Sequence, residues 1–427
     1  MRKPSPILGI ALTVFIDILS FGLVIPDIQL RGELLIHQTF GLTIDARLQG
    51  LILGLTIATY SIAQLITSPI LGRLSDKVGR RSILLCTTLL SATAYLFYSH
   101  AILLWVMIAA RVLGGIGGAN IGVAYAYVAD VTSPQNRGKA MGLIGAAFGL
   151  GFIFGPGIGS VLVKLGHNTP TVLGYTSTAL CILNFAYVYY LLPESHQNRW
   201  DASAESASAP ATNRAKIRLA DAFKTPGLGL LLAMFFCTNF GFSNMESTFF
   251  RLAEHNFGMS QLQTAMILTE VGIVMAIVQG GLIRVVIPMF GEVNLLRTAY
   301  FLQVPALLCM PWASPWIPMM LVAAVLGLGG GLSQPSMSSL ISLNTPGDMQ
   351  GGIFGITQGL GALARILGPT IGNTLFDVNS TGTAPYNNVR HWYPYTFGAA
   401  VVLLPLLASF KLKMPDKSHD TAHAIAG

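Results

Sequence analysis

Apolar stretches of about 20 residues, broken by short polar turns, fill this chain from end to end. They lie near residues 7–29, 48–71, 82–99, 102–129, 138–163, 172–192, 227–250, 261–287, 295–313, 315–343, 351–376 and 394–411. Each is long enough, as a helix, to cross ~30 Å of hydrocarbon. Backbone groups in lipid need partners within their own segment, so the pattern predicts about twelve membrane helices. One polar interval interrupts the series. Residues 195–225 contain a Ser/Ala-rich run from Asp201 and read as a flexible cytoplasmic linker. It divides an N-terminal six-helix bundle, 1–194, from a C-terminal one, 226–413. The polar tail, 414–427, is expected to be disordered. Residues 378–393 form the longest outside loop, and its tripeptide Asn379-Ser380-Thr381 is a weak glycosylation signal.

The second half repeats the first. Gly114–Ser160 lies without gaps on Gly327–Asn373, so that Gly155-Pro156 falls on Gly368-Pro369. At that offset Gly117, Gly118, Gly138, Gly142 and Gly159 meet Gly330, Gly331, Gly351, Gly355 and Gly372. The first and seventh stretches also match over seven residues, Phe21 to Asp27 on Phe240 to Glu246, which pairs two carboxylates near the expected outer helix ends. Membrane proteins built from two similar halves usually bind a ligand between them and move it by rocking one half on the other.

Composition agrees, with 52% hydrophobic and only 10% charged residues, against about 25% charged in soluble domains. The net charge of +7 reports topology rather than nucleic-acid binding. Arg2, Lys3, Arg73, Lys77, Arg80, Arg81, Arg137, Lys139, the linker's basic residues and Lys411, Lys413 and Lys417 all fall on one side if the helices alternate. That pattern places both termini in the cytoplasm. The first stretch contains Asp17, is too long for a signal peptide and lacks a cleavage site, so it is a retained helix. Cys86, Cys181, Cys237 and Cys309 are scattered in apolar runs with no metal spacing. The glycine-rich runs lack a phosphate-binding loop signature, which argues against ATP-driven transport.

Three motifs in register carry a family resemblance. G-R-L-S-D-K-V-G-R-R, from Gly72 to Arg81, resembles the signature of the major facilitator superfamily. Arg111 to Gly118 is similar to the fourth-helix motif of its proton-driven members. Gly142, Gly151, Gly155, Pro156 and Gly159 resemble the fifth-helix antiporter motif, with Ser160 where a second glycine is usual. Leu192-Pro193-Glu194-Ser195 closes the half as in drug/proton antiporters of the tetracycline-efflux type. The resemblance implies an all-α membrane fold of twelve helices in two six-helix bundles, and alternating access. Two departures make tetracycline itself doubtful. Ala94 stands where that branch carries an acid, and the ninth stretch has no acid.

Ionisable groups inside a membrane are costly and persist mostly where they are paired or useful. At ~1.5 Å of rise per residue, Asp17 and Arg111 both fall near mid-membrane and can meet. The resemblance assigns Asp17 to proton binding and Arg111 to tuning it; the other reading is a static ion pair. Glu270 and Arg365 are a second candidate pair, and Glu246 a third site, for a proton or a cationic substrate. At the cytoplasmic face the resemblance makes Asp76 a cap for the start of the eleventh helix, near Gly351. Arg80 or Arg81 is expected to pair with Asp130, and Gly72 and Gly79 frame this latch. The other reading of the cluster is topology alone. Asn120, Asn239, Phe240, Asn244, Gln279, Phe354 and Gln358, with Arg365, are candidate pocket residues, and apolar walls with few polar groups suit a lipophilic ligand.

The expected function is proton-coupled efflux of an amphipathic, drug-like small molecule by a monomer in a bacterial inner membrane. Proton is the coupling ion, with no other cofactor and no metal. Proton-coupled uptake or facilitated diffusion of a metabolite is the alternative within transport. A receptor or structural membrane protein, or an enzyme, would be of another class; no Ser/His/Asp constellation supports the last.

Overall fold

A computed structural model describes residues 5–41, 44–132, 134–166, 171–195, 227–313, 316–345, 350–377 and 391–412. The linker beyond Ser195, the tail from 414 and the Asn379 tripeptide therefore lie outside the described residues. Among these described residues twelve helices follow one another: α1 Pro6–Phe40, α2 Ala46–Val78, α3 Arg80–Ser99, α4 Leu104–Val131, α5 Pro134–Leu165, α6 Thr171–Leu191, α7 Leu228–Phe257, α8 Gln261–Phe290, α9 Glu292–Trp312, α10 Ile317–Leu343, α11 Gln350–Phe376 and α12 Tyr393–Ser409. Ten of them are long and apolar enough to cross a membrane, and α12 is apolar but shorter. We call the end that carries the α2–α3 turn the inner end and its opposite the outer end.

Local chemistry sets the ends. The Asp45 carboxylate accepts from the N–H groups of Arg47 and Leu48 at 3.0 and 3.1 Å and so starts α2. Ser260 and Gln263 form a reciprocal capping box at α8. Gly258 closes α7 in the left-handed conformation, with φ +61°. Several helices run past the apolar stretches that predict them. Asp27 is followed by thirteen more residues of α1, and Glu246 by eleven of α7. These carboxylates therefore sit ~20 and ~16 Å inside the helix ends, and the expectation that they mark those ends is corrected.

The apolar cores do not mix the halves. Two clusters draw only on α1–α6 and their flanking loops, and two only on α7–α12 and their flanking loops. Within each half the repeated glycines do equivalent work. A methyl group on Gly155 would lie 2.5 Å from the Gly22 Cα, so α5 and α1 touch backbone to backbone. One on Gly368, its repeat partner, would lie 2.9 Å from the Asn244 nitrogen, so α11 meets α7 in the same way. Close approach through small residues replaces the hydrophobic drive that lipid removes.

The halves meet at the outer end. Gly54 of α2 lies against the Pro369 carbonyl and Thr370 of α11, where a methyl would come within 2.5 and 2.6 Å. Gly157 of α5 lies against the Thr269 hydroxyl of α8. Gln29 of α1 bridges to α7, donating to the Glu246 carbonyl at 3.0 Å and accepting from the Phe250 N–H at 3.3 Å. All these contacts fall in the outer half of their helices. Toward the inner end, Gly145 and Gly149 of α5 and Gly355 and Gly359 of α11 face open space.

Candidate functional site

Asp17 sits on α1 between two amides. Its carboxylate accepts from Asn120 of α4 at 2.5 Å and from Asn184 of α6 at 3.0 Å. The Asn184 amide also donates to the Thr13 carbonyl at 3.3 Å. The Oδ1 atoms of both asparagines are buried without a hydrogen-bond partner. Asn120 reaches this position at the end of a short 3-10 turn, Gly118–Asn120, inside α4. Gly118 lets the Tyr60 hydroxyl press against that turn.

Arg111 does not pair with Asp17, and that expectation is corrected. Its Nη2 donates to the Ile57 carbonyl at 3.0 Å, its Nε lacks a partner, and its guanidinium lies 4.8 Å from the Tyr60 ring and 5.5 Å from the Phe21 ring. The reason is register. Phe21 is one turn along α1 from Asp17, and Arg111 stands level with Phe21. Asn120, nine residues along α4, stands level with Asp17. The cationic partner the depth estimate placed beside the carboxylate is thus one turn away, and amides take its place.

Glu270 and Arg365 do not pair either. Arg365 lies within electrostatic range of Tyr60 and Glu246, and Glu246 within range of both Arg365 and Arg111. Helix α11 packs on α7 and α2, which turns Arg365 toward them. Helix α8 packs on α5 and α10, and there the Glu270 Oε2 is buried without a partner. A mid-membrane group thus assembles from both halves: Arg111, Tyr60 and Phe21 from one, Glu246 and Arg365 from the other. The Phe21 and Tyr60 rings lie 4.7 Å apart, tilted by 40°. Among the described residues, the Glu246 carboxylate and the Arg365 guanidinium make no hydrogen bond, so both stay available to a ligand.

The other pocket candidates divide. Gln279 and Gln358 are exposed. Asn239 donates to the Phe235 carbonyl at 2.8 Å and lines a small recess with Thr238 and Ser333. Phe240 is buried in aromatic packing, 5.9 Å from the Phe397 ring, and Asn244 donates to the Pro394 carbonyl at 2.6 Å. These two hold α7 to α12. The Phe354 side chain lies outside what is described.

At the inner end the latch residues converge on Arg80, whose side chain is almost wholly buried. It donates to Asp76 at 2.6 Å, to Asp130 at 3.1 Å and to the Ser75 hydroxyl at 2.5 Å. Ser75 in turn donates to the Gly72 carbonyl at 2.7 Å. Among the described residues the Arg81 guanidinium takes no acid; it donates to the carbonyls of Val188 and Tyr189. Gly79 turns the chain with φ +95° and leaves space for Glu194, which accepts from the N–H groups of Arg80 and Arg81 at 2.9 and 3.1 Å. An anion at a helix start is favoured by the free N–H groups there. Residues 346–349, just before Gly351, lie outside the described residues, so Asp76 is seen bound to Arg80 alone.

A second arginine cluster, at the outer end, escaped the sequence reading. Arg251 of α7 has no exposed side-chain surface and donates to Glu33 of α1 at 3.1 Å, to both Asp377 oxygens at 2.9 and 3.1 Å and to Asn373 at 3.3 Å. Gln49 of α2 donates to Glu33 at 3.0 Å, and His255 lies 3.5 Å from it. Arg251 also stacks 4.4 Å above the Phe376 ring, which stacks in turn on His391. The signal was present. Glu33, Arg251 and Asp377 each follow the end of a predicted stretch, on the same side. Asn184, a lone amide in the apolar run of α6, was also missed.

Comparison with known proteins bears on the family and the fold. The sequence profile of the Major Facilitator Superfamily matches residues 10–369. Multidrug resistance protein 2 of Bacillus subtilis is 26% identical over 412 residues, covering 96% of this chain and 95% of that protein. Tetracycline resistance protein, class B, of Escherichia coli is 27% identical over 321 residues, covering 74% and 77%. The crystal structure of the human organic anion transporter MFSD10 superposes with a TM-score of 0.68 at 23% identity, over 95% of this chain and 100% of that one.

Proposed function

We propose that this chain, which belongs to the Major Facilitator Superfamily and is therefore a membrane transporter and not an enzyme, exports an amphipathic small molecule in exchange for protons. The observation that carries the reading is Asp17. It is a carboxylate inside the apolar part of α1, held by two neutral amides and, among the described residues, no cation. Such a group can take up a proton without breaking an ion pair. The unpartnered Oδ1 atoms of Asn120 and Asn184 offer acceptors to the protonated acid once either amide turns over. The relatives named as multidrug and tetracycline resistance proteins support export as the direction.

The ligand would sit beside the Phe21–Tyr60 pair, where Glu246 and Arg365 have hydrogen-bonding capacity to offer. Gathered outer contacts and open inner glycines support an inward-facing state, ready to load from the cytoplasm. The working unit would be a monomer in a bacterial inner membrane, with both termini cytoplasmic, the basic residues of the α2–α3 turn setting that orientation. Everted vesicles test the exchange. Acidifying their interior should drive uptake of a substrate chosen from a growth-inhibition panel, and a protonophore should abolish it. Uptake that ignores the gradient would leave facilitated diffusion as the function.

A further inference from the structure

We infer that Arg251 is the bolt of an outer gate, that Glu33 is its release point and that Asp377 is its permanent counter-ion. The argument begins with which half supplies each partner. Arg251, Asp377 and Asn373 belong to the C-terminal half, on the neighbouring helices α7 and α11 and the turn after α11. Glu33 belongs to the N-terminal half. Parting the halves at the outer end must therefore break the Arg251–Glu33 bond of 3.1 Å and the His255–Glu33 contact of 3.5 Å. It need not disturb the paired bonds to Asp377 at 2.9 and 3.1 Å.

Burial makes this division of labour necessary. A fully buried guanidinium left without a partner is strongly unfavourable. Asp377 is itself without exposed side-chain surface, so Arg251 keeps a dry partner in either state. Glu33 is better placed to let go. It retains the Gln49 amide, which comes from its own half. Parting also admits water, which hydrates the released carboxylate and offsets part of the lost attraction. The gate closes over a tight seam, because Gly50 lies directly against Asn373 and Asp377 with no room for a side chain.

The inference rests on alternating access alone; proton coupling does not enter it. The test is distance measurement between spin labels on the full chain in lipid, with Cys86, Cys181, Cys237 and Cys309 replaced by alanine. One label pair, at Arg47 and Glu254, reports the outer end, and another, at Lys77 and Leu343, reports the inner end; all four sites are exposed. Glu33→Gln should raise the fraction with long outer and short inner distances about tenfold. Gln49→Leu should leave both distances near their starting values, because its amide holds Glu33 within one half in either state. Asp377→Asn should lower Tm without a comparable shift of either distance. Unchanged distances in Glu33→Gln, or an equal shift in Asp377→Asn, would overturn the assignment. Loss of proton-driven uptake with the distances behaving as stated would count only against the transport reading.

Discussion

The two ends of this molecule carry arginine clusters of the same make-up and opposite reach. At the inner end Arg80 binds Asp76 and Asp130, and at the outer end Arg251 binds Glu33 and Asp377. Every described partner of Arg80 belongs to its own half, and the Asp76 side chain is half exposed. Arg251 is completely buried and takes Glu33 from the other half. A cluster confined to one half can persist through a transport cycle. One that spans both must break in it. The difference therefore reports which end is shut, and it separates residues that maintain a half from residues that set the relation between halves.

Substitution within the two clusters should break the comparison most sharply. Arg251→Leu strands two carboxylates in a dry site, and removing one partner of such a group costs about 3–5 kcal/mol. Thermal unfolding in detergent should show the largest loss here. Asp76→Asn removes a half-exposed partner, and exposed pairs contribute about 0–1 kcal/mol. Comparable losses at the two ends would mean that burial does not distinguish them.

Glycines give an intermediate contrast. Gly155→Ala pushes a methyl into the Gly22 backbone inside one half, and overpacking of this kind costs about 1–3 kcal/mol. Gly54→Ala meets Pro369 and Thr370 across the halves, and relief is available there by opening the outer end. Its effect should appear as a longer outer label distance with a smaller drop in Tm. Equal drops, with no change in distance, would contradict a seam that can part.

The smallest effect concerns acid. Burial holds the His391 imidazole down at about 4, against an ordinary 6.5. It faces the Phe376 ring and carbonyl, with Arg251, His255 and Glu33 nearby. Between those two values the unfolded chain binds more protons than the folded one. The neutral histidine's contribution is thus fully present above pH 6.5 and lost as pH falls toward 4. Tm in detergent should decline over that window, and His391→Gln should flatten the decline. An unchanged slope would remove His391 from the outer cluster's account.

Helices, halves and the inner cluster were legible in the sequence because each leaves a local mark. Apolar length marks a span, a glycine offset marks the repeat, and a ten-residue motif marks the α2–α3 turn. Partners of charged groups were not legible, because they depend on register across helices. A shift of one turn put Arg111 beside Phe21 and left Asp17 to Asn120 and Asn184. The outer cluster was hidden differently. Hydropathy ends a span where charge begins, yet α1 and α7 continue past Glu33 and Arg251, with Leu35, Ile36, Leu252 and Ala253 buried. Burial in each half's own core sustains those turns, with Leu35 and Ile36 in one half's clusters and Leu252 and Ala253 in the other's.

The central claim is that Asp17 carries the proton. Asp17→Asn keeps the side chain's shape and removes its titration, so the protein should fold and retain its label distances. In everted vesicles with an imposed pH gradient, gradient-driven accumulation should vanish while passive substrate exchange across the vesicle membrane persists. Accumulation at the normal rate in Asp17→Asn would contradict the account and move the proton to Glu246 or Glu270.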